Sequence, residues 1–168
     1  SEAHTDLVKK LDYECELAVV LGKDARDVPA GQTRDYIFGY TILNDVSARD
    51  VQTAHKQWYF GKSLDGFTPI GPCIVTADAF ADYPPRLGIR SFVNGEKRQD
   101  SNTALQIFDI DHVIAELSQG MTMKAGTIIA TGTPAGVGMG MDPPQFLKPG
   151  DVVRCEIEGI GTLTNPVK

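Results

Sequence analysis

Two carboxylates one residue apart, Glu14 and Glu16 in LDYECELAVVLG (residues 11–22), are the first groups in this sequence equipped for chemistry. In a strand, alternate side chains share a face, so both would point the same way, about 7 Å apart. The opposite face reads Tyr13, Cys15, Leu17, Val19 and Leu21, and beyond Glu16 the acidic face continues as Ala18 and Val20. Both faces then turn apolar, which predicts a strand buried over its second half. Carboxylates at the mouth of such a strand repel each other and resist desolvation, raising each other's pKa unless a cation lies between them. Taken alone, an E-x-E pair is usually a solvated polar face or half of a salt bridge, and a metal site needs further ligands.

A third acidic candidate is Asp45, at the end of an aromatic and β-branched run, where it reads either as a ligand or as a helix N-cap. Three carboxylates without paired Cys or His ligands favour a hard cation, Mg²⁺ or Mn²⁺, over zinc. Such an ion keeps open positions for water or substrate oxygens. Beyond Asp45, SARDVQTAHK predicts a short helix capped by Ser47 or Asp45, with Arg49 and Gln52 on the face of Asp45. Arg49 has an alternative as an ion pair with Asp45 or Asp50, and Gln52 as solvated helix surface. Lys62, inside FGKS, is a surface charge by type, but its flanks Phe60 and Gly61 favour partial burial.

The loop GTPAGVGMG (residues 132–140) has neither the Lys-Ser/Thr of a P-loop nor G-x-G-x-x-G spacing. It offers backbone N–H groups and the Thr131 and Thr133 hydroxyls to a carboxylate, or is a plain strand exit. His4, His55 and His112 form no ligand spacing, and Trp58, Tyr59 and Phe60 read as core by default, with a pocket wall or a subunit contact as the alternatives.

The elements that must position these groups follow from periodicity. Strands are predicted over residues 36–43, 73–76, 127–131, 152–157 and 162–164, the second of them bent or at an edge because of Pro69, Gly71 and Pro72. Residues 89–93 and 96–99 flank Asn94-Gly95, a type I′ hairpin signal. Ile110, Val113, Ile114 and Leu117 predict an amphipathic helix over 109–119, with an acidic residue at its start and Gly120 at its end. Residues 22–32 and 78–87 read as loops. With no repeat or linker, one compact domain over 1–168, mostly β with few short helices, is expected.

Hydrophobic residues make up 42% and charged residues 23%, the balance of an ordinary globular chain. A net charge of −6 with no basic run argues against a nucleic-acid partner. No apolar run is long enough to span a membrane, and no signal peptide is visible. Cys15, Cys73 and Cys155 match no zinc or redox spacing and read as buried free thiols of a reducing compartment, cytoplasmic or else mitochondrial.

Six ordered blocks, DYECELAVVLGK, GYTILNDVSARDVQ, WYFGKSLDGFTPIGP, VNGEKRQ, ATGTPAGVG and FLKPGDVVRCEIEGIGTLTNPV, together resemble the catalytic domain of the fumarylacetoacetate hydrolase family. The resemblance implies that family's α+β fold, a predominantly β mixed β-roll, with a Mg²⁺ or Mn²⁺ site and a homodimer. It places the metal carboxylates on Glu14, Glu16 and Asp45, and the catalytic and substrate-binding positions on Arg49, Gln52, Lys62 and Thr133. Asp65 lies near this motif and is assigned no ligand role. Many members carry a His and a Glu on a lid helix well before the E-x-E strand. Only residues 1–13 precede Glu14, and neither Glu2 nor His4 stands in that pattern, so a missing lid is expected. The implied activity is metal-dependent cleavage of a carbon–carbon bond in a small 2-oxo acid, such as an acylpyruvate, through an enolate. Oxaloacetate decarboxylation, keto–enol isomerisation and a catalytically inactive binding module are the alternatives.

Overall fold

The computed structural model describes residues 2–54 and 56–168, so His55 lies outside the described residues. Two four-stranded antiparallel sheets face each other across the core. In the first, β2 (Cys15–Leu21) lies between β3 (Ile37–Asn44) and β8 (Ile128–Ala130), with β5 (Ile70–Thr76) at the outer edge of β3. In the second, β6 (Gly88–Val93) and β9 (Val152–Ile157) are central, flanked by β7 (Glu96–Asn102) and β10 (Gly161–Pro166). Two short strands, β1 (Leu11–Asp12) and β4 (Ser47–Ala48), form a separate ladder. The helices are α1 (Arg49–Ala54) and α2 (Ile110–Leu117). The chain thus has the expected predominantly β, α+β fold.

All seven residues of β2 are buried, because a central strand in a covered sheet has no solvent face. Leu17 and Val19 join Ile89, Val153, Cys155 and Ile157 of the other sheet in one core. The Asn94-Gly95 turn forms as expected, with φ of 52° and 85°, the positive values a type I′ turn demands. In α2, Asp109 caps by accepting the His112 N–H, Ile110 and Ile114 are buried, and Gly120 follows with φ of 67°.

Several expectations change. The predicted strand over 11–22 is broken at Tyr13–Glu14, because the Asp12 carboxylate turns away to accept from the Tyr13 N–H, and the Glu14 N–H bonds the Asn44 side chain instead of a ladder partner. Neither Ser47 nor Asp45 caps α1. Ser47 is in β4, paired with Asp12, and donates its hydroxyl to the Asp45 carbonyl. β5 starts earlier than predicted but is an edge strand, and this leaves Cys73 exposed while Cys15 and Cys155 are buried. Trp58, Tyr59 and Phe60 are 65%, 80% and 48% exposed and so are not core.

Ile114, wholly buried where α2 meets the core, is the side chain on which this packing can be measured. Ile114→Ala should lower unfolding free energy by about 2–5 kcal/mol in a urea melt. A loss below about 1 kcal/mol would show that α2 is not seated on the core as described.

Candidate metal centre

β2 brings the acidic pair into place from one end, and the β3 exit brings the third carboxylate. One carboxylate oxygen from each of Glu14, Glu16 and Asp45 lies within 4.8 Å of those of the other two. Glu14 and Glu16 are 8% and 3% exposed, and with Asp45 they line a cavity of about 480 Å³. Arg49, Gln52, Lys62 and Thr133 line the same cavity, so the structure brings together every residue singled out for the site. Trp58 and Met139 contribute to its wall.

Each side chain is held for a local reason. Lys62 ends a 3-10 turn, Phe60–Lys62, that reaches the site because Gly61 packs against α1, where a Cβ would lie 2.6 Å from the Gln52 backbone nitrogen. Its ammonium donates to Glu14 Oε2 at 2.7 Å and Asp45 Oδ2 at 2.6 Å. Arg49 begins α1 and pairs with Asp12 at 2.9 Å and Glu14 at 2.6 Å, rather than with Asp45 or Asp50 as its sequence neighbourhood suggested. It also donates to Gln52 Oε1 at 3.2 Å, which explains why Gln52 is buried instead of solvated. Glu16 accepts from the Gly132 N–H at 2.8 Å.

Charge counting tests whether a metal fits. Among the described residues four carboxylates, Asp12, Glu14, Glu16 and Asp45, converge here with two cations, Arg49 and Lys62, an excess of two negative charges when all four acids are ionised. One divalent ion offsets that excess. The excess falls on Glu16, which forms no ion pair among the described residues and is pushed up to about 8, chiefly by burial, with the Asp45 and Glu14 charges adding to it. Burial also raises Asp45, by more than the Lys62 ammonium pulls it down. Lys62 is itself raised: burial opposes its charge, but its hydrogen bonds to Asp45 and Glu14 outweigh that. An all-oxygen donor set suits Mg²⁺ or Mn²⁺.

Two residues of the site were missed in the sequence. Asp12 is fully buried and, besides Arg49, accepts from the Gly138 and Met139 N–H groups. Gly138 allows this approach, since a Cβ there would lie 1.9 Å from the Gln145 carbonyl and 2.8 Å from Asp12. The two-residue period that joined Glu14 to Glu16 reaches Asp12 as well, so a signal existed. Gln99, fully buried on β7, bonds Cys15 and Thr133 and left no such signal. The Thr131 and Thr133 hydroxyls donate to the Leu17 and Cys15 carbonyls, so their protons are committed to β2 and not free for a substrate carboxylate. Glu2 and His4 lie in a separate surface depression, away from the carboxylates.

A model of the fumarylacetoacetate (FAA) hydrolase C-terminal region matches residues 3–168. The chain belongs to the fumarylacetoacetate hydrolase family. Members of the family include hydrolases, isomerases and tautomerases, which generally use a divalent metal, and the acidic cluster could hold one. The chain is 48% identical over 166 residues to oxaloacetate tautomerase YisK of Bacillus subtilis (strain 168), covering 99% of this chain and 55% of that protein. It therefore spans about half the length of the curated relatives it matches. A fumarylacetoacetate hydrolase from the psychrophile Exiguobacterium antarcticum superposes with a TM-score of 0.96 at 52% identity, covering 99% of this chain and 60% of that one. A 2-hydroxyhepta-2,4-diene-1,7-dioate isomerase from Mycobacterium marinum gives a TM-score of 0.86 at 44% identity, with 99% and 60% covered.

The raised Glu16 makes two pH dependences testable. Its folded value lies above its ordinary 4.5, so its contribution to metal-free stability is complete below 4.5 and is lost as pH rises through about 8. A proton on Glu16 competes with the ion, so Mn²⁺ affinity should rise about tenfold per pH unit between pH 6 and 7 and level off above about 8. Titration followed by the Mn²⁺ electron paramagnetic resonance signal checks this, and a flat profile would contradict the charge balance described.

Proposed function

We propose that this chain is the catalytic part of a divalent-metal-dependent enzyme acting on small 2-oxo acids through an enolate, with Glu14, Glu16 and Asp45 holding Mg²⁺ or Mn²⁺. What supports it most is the convergence of buried Glu14 and Glu16 and partly buried Asp45 with Lys62 and Arg49 on one open cavity. When bound, such an ion supplies Lewis-acid stabilisation of developing oxyanion charge. Lys62, kept protonated by Glu14 and Asp45, is a fixed positive charge beside the enolate rather than a proton acceptor. Arg49, clamped by Asp12, orients a substrate carboxylate, and Gln52 and Thr133 complete the cavity wall.

An enolate is common to keto–enol tautomerisation, decarboxylation of oxaloacetate and hydrolytic cleavage of an acylpyruvate. Hydrolytic cleavage of the carbon–carbon bond needs an activated water, decarboxylation only loss of carbon dioxide and return of a proton, and tautomerisation only proton removal and return. The name of the Bacillus subtilis relative, an oxaloacetate tautomerase, makes tautomerisation of oxaloacetate the second reading beside cleavage of a 2,4-dioxo acid. A single domain over 1–168, a homodimer covering the exposed Leu105, Ile107 and Phe108, and a reducing cytoplasmic setting for the free thiols belong to the same proposal. Light scattering after size-exclusion chromatography reads the oligomer.

Assays of all three reactions with Mg²⁺ and Mn²⁺ on the full-length protein identify the activity. Asp45→Ala should abolish metal-dependent turnover, and full activity in that variant would sink the proposal. Lys62→Met should keep Mn²⁺ binding but cut turnover by about 10²–10³-fold, as expected for loss of one preorganised charge at a developing oxyanion.

A further inference from the structure

We infer that Gln99 is a positioning residue for the metal strand, holding the Cys15 peptide and Thr133 in the arrangement that aims Glu14 and Glu16 into the cavity. The inference rests on Glu14, Glu16 and Asp45 being metal ligands. Gln99 belongs to β7, in the other sheet, yet its side chain is fully buried and ends against β2. Its Oε1 accepts from the Cys15 N–H at 3.2 Å, and its Nε2 donates to Thr133 Oγ1 and to the Pro134 carbonyl, each at 2.8 Å. A peptide N–H only donates and a carbonyl only accepts, so these partners leave one orientation for the amide. The Thr133 hydroxyl in turn donates a hydrogen bond to the Cys15 carbonyl at 2.9 Å. A closed ring of Gln99, Cys15 and Thr133 results.

The place of that ring in the sheet gives it a function. On its β8 side, β2 is paired at Val20, Val19 and Ala18, and the ladder stops before Cys15. Past that point, the Cys15 N–H and carbonyl on this side would face an unpaired edge. Gln99 and Thr133 take over the missing strand's hydrogen bonds with side chains. Cys15 is the single residue between Glu14 and Glu16, so its backbone torsions set the relative direction of the two carboxylates. The neighbouring Glu16 is tied to Gly132, one residue before Thr133, so a displaced Thr133 would move that support too. Gln99 touches no proposed ligand atom, and acts through Cys15, Thr133 and the Pro134 carbonyl beside it.

The test measures Mn²⁺ affinity of the full-length protein by electron paramagnetic resonance, well below the melting temperature of each metal-free variant. Gln99→Met keeps the length and bulk of the side chain and removes both hydrogen-bonding functions. It should fold and bind Mn²⁺ about 10–100-fold more weakly, the usual cost of losing support behind a ligand. Thr133→Val breaks the same ring, so the double variant should lose little more than the worse single variant. A folded Gln99→Met within twofold of the parent, or additive losses, would overturn the role of Gln99. If Gln99→Met does not fold, Gln99→Asn, polar but too short to reach both partners, is judged by the same outcomes. Absence of Mn²⁺ binding in the parent, or undiminished binding by Glu16→Gln, would instead overturn the metal-ligand assignment and this inference with it.

Discussion

The structure depends on balancing a local excess of buried negative charge. Asp12, Glu14, Glu16 and Asp45 are brought to one end of the first sheet, where solvent cannot stabilise all of them. Arg49 and Lys62 offset part of the excess, and the hydrogen bonds that share the rest recruit distant segments. The Gly132 N–H goes to Glu16, the Gly138 and Met139 N–H groups go to Asp12, and the Asn44 side chain receives the Glu14 N–H. The loop after β8, the first turn of α1 and the Phe60–Lys62 turn all owe their positions to these acids. A buried ion pair adds little net stability by itself but is expensive to break on one side. Such a network therefore selects one arrangement of the loops more than it strengthens the fold.

The balance is chemically incomplete: Glu16 accepts a peptide N–H but forms no ion pair among the described residues. A group of this kind is costly as a bare carboxylate and well suited to receive a divalent ion, so a stability cost in the metal-free protein becomes binding affinity. Lys62 has the opposite situation. Flanked by two carboxylates, it stays charged despite partial burial, which fits electrostatic support of an oxyanion and not proton abstraction.

Local features were legible in the sequence wherever the deciding interactions were themselves local. The Asn94-Gly95 hairpin and the α2 periodicity depend on neighbours within a few residues, and both formed close to expectation. For Trp58, Tyr59 and Phe60 the default of core failed because aromatic type signals burial, whereas all three are exposed and Trp58 lines the cavity wall, one of the alternatives. The broken 11–22 strand misled because hydrophobic alternation continues through Tyr13 and Glu14 while the Glu14 N–H finds a side chain instead of a strand. Arg49 had two acidic partners nearby in sequence but pairs with Asp12 and Glu14, which reach it only through the β1–β4 ladder and the β3 exit.

The sequence by itself determined which residue types are present, and its two-residue spacing pointed Glu14 and Glu16 to one face, although Glu14 lies just before β2 and it is the folded chain that brings the two carboxylates together. It also identified Asp45, Arg49, Gln52, Lys62 and Thr133 as a set through ordered blocks, without saying how they meet. Tertiary structure alone decided that these side chains line one cavity, that Asp12 joins them, and that Gln99 holds the strand between the two glutamates. Gln99 lies 84 positions from Cys15, and only the packing of one sheet on the other brings its amide to that backbone. Hydrogen-bond partners of buried polar groups are chosen by proximity after folding, and no periodicity along the chain encodes them.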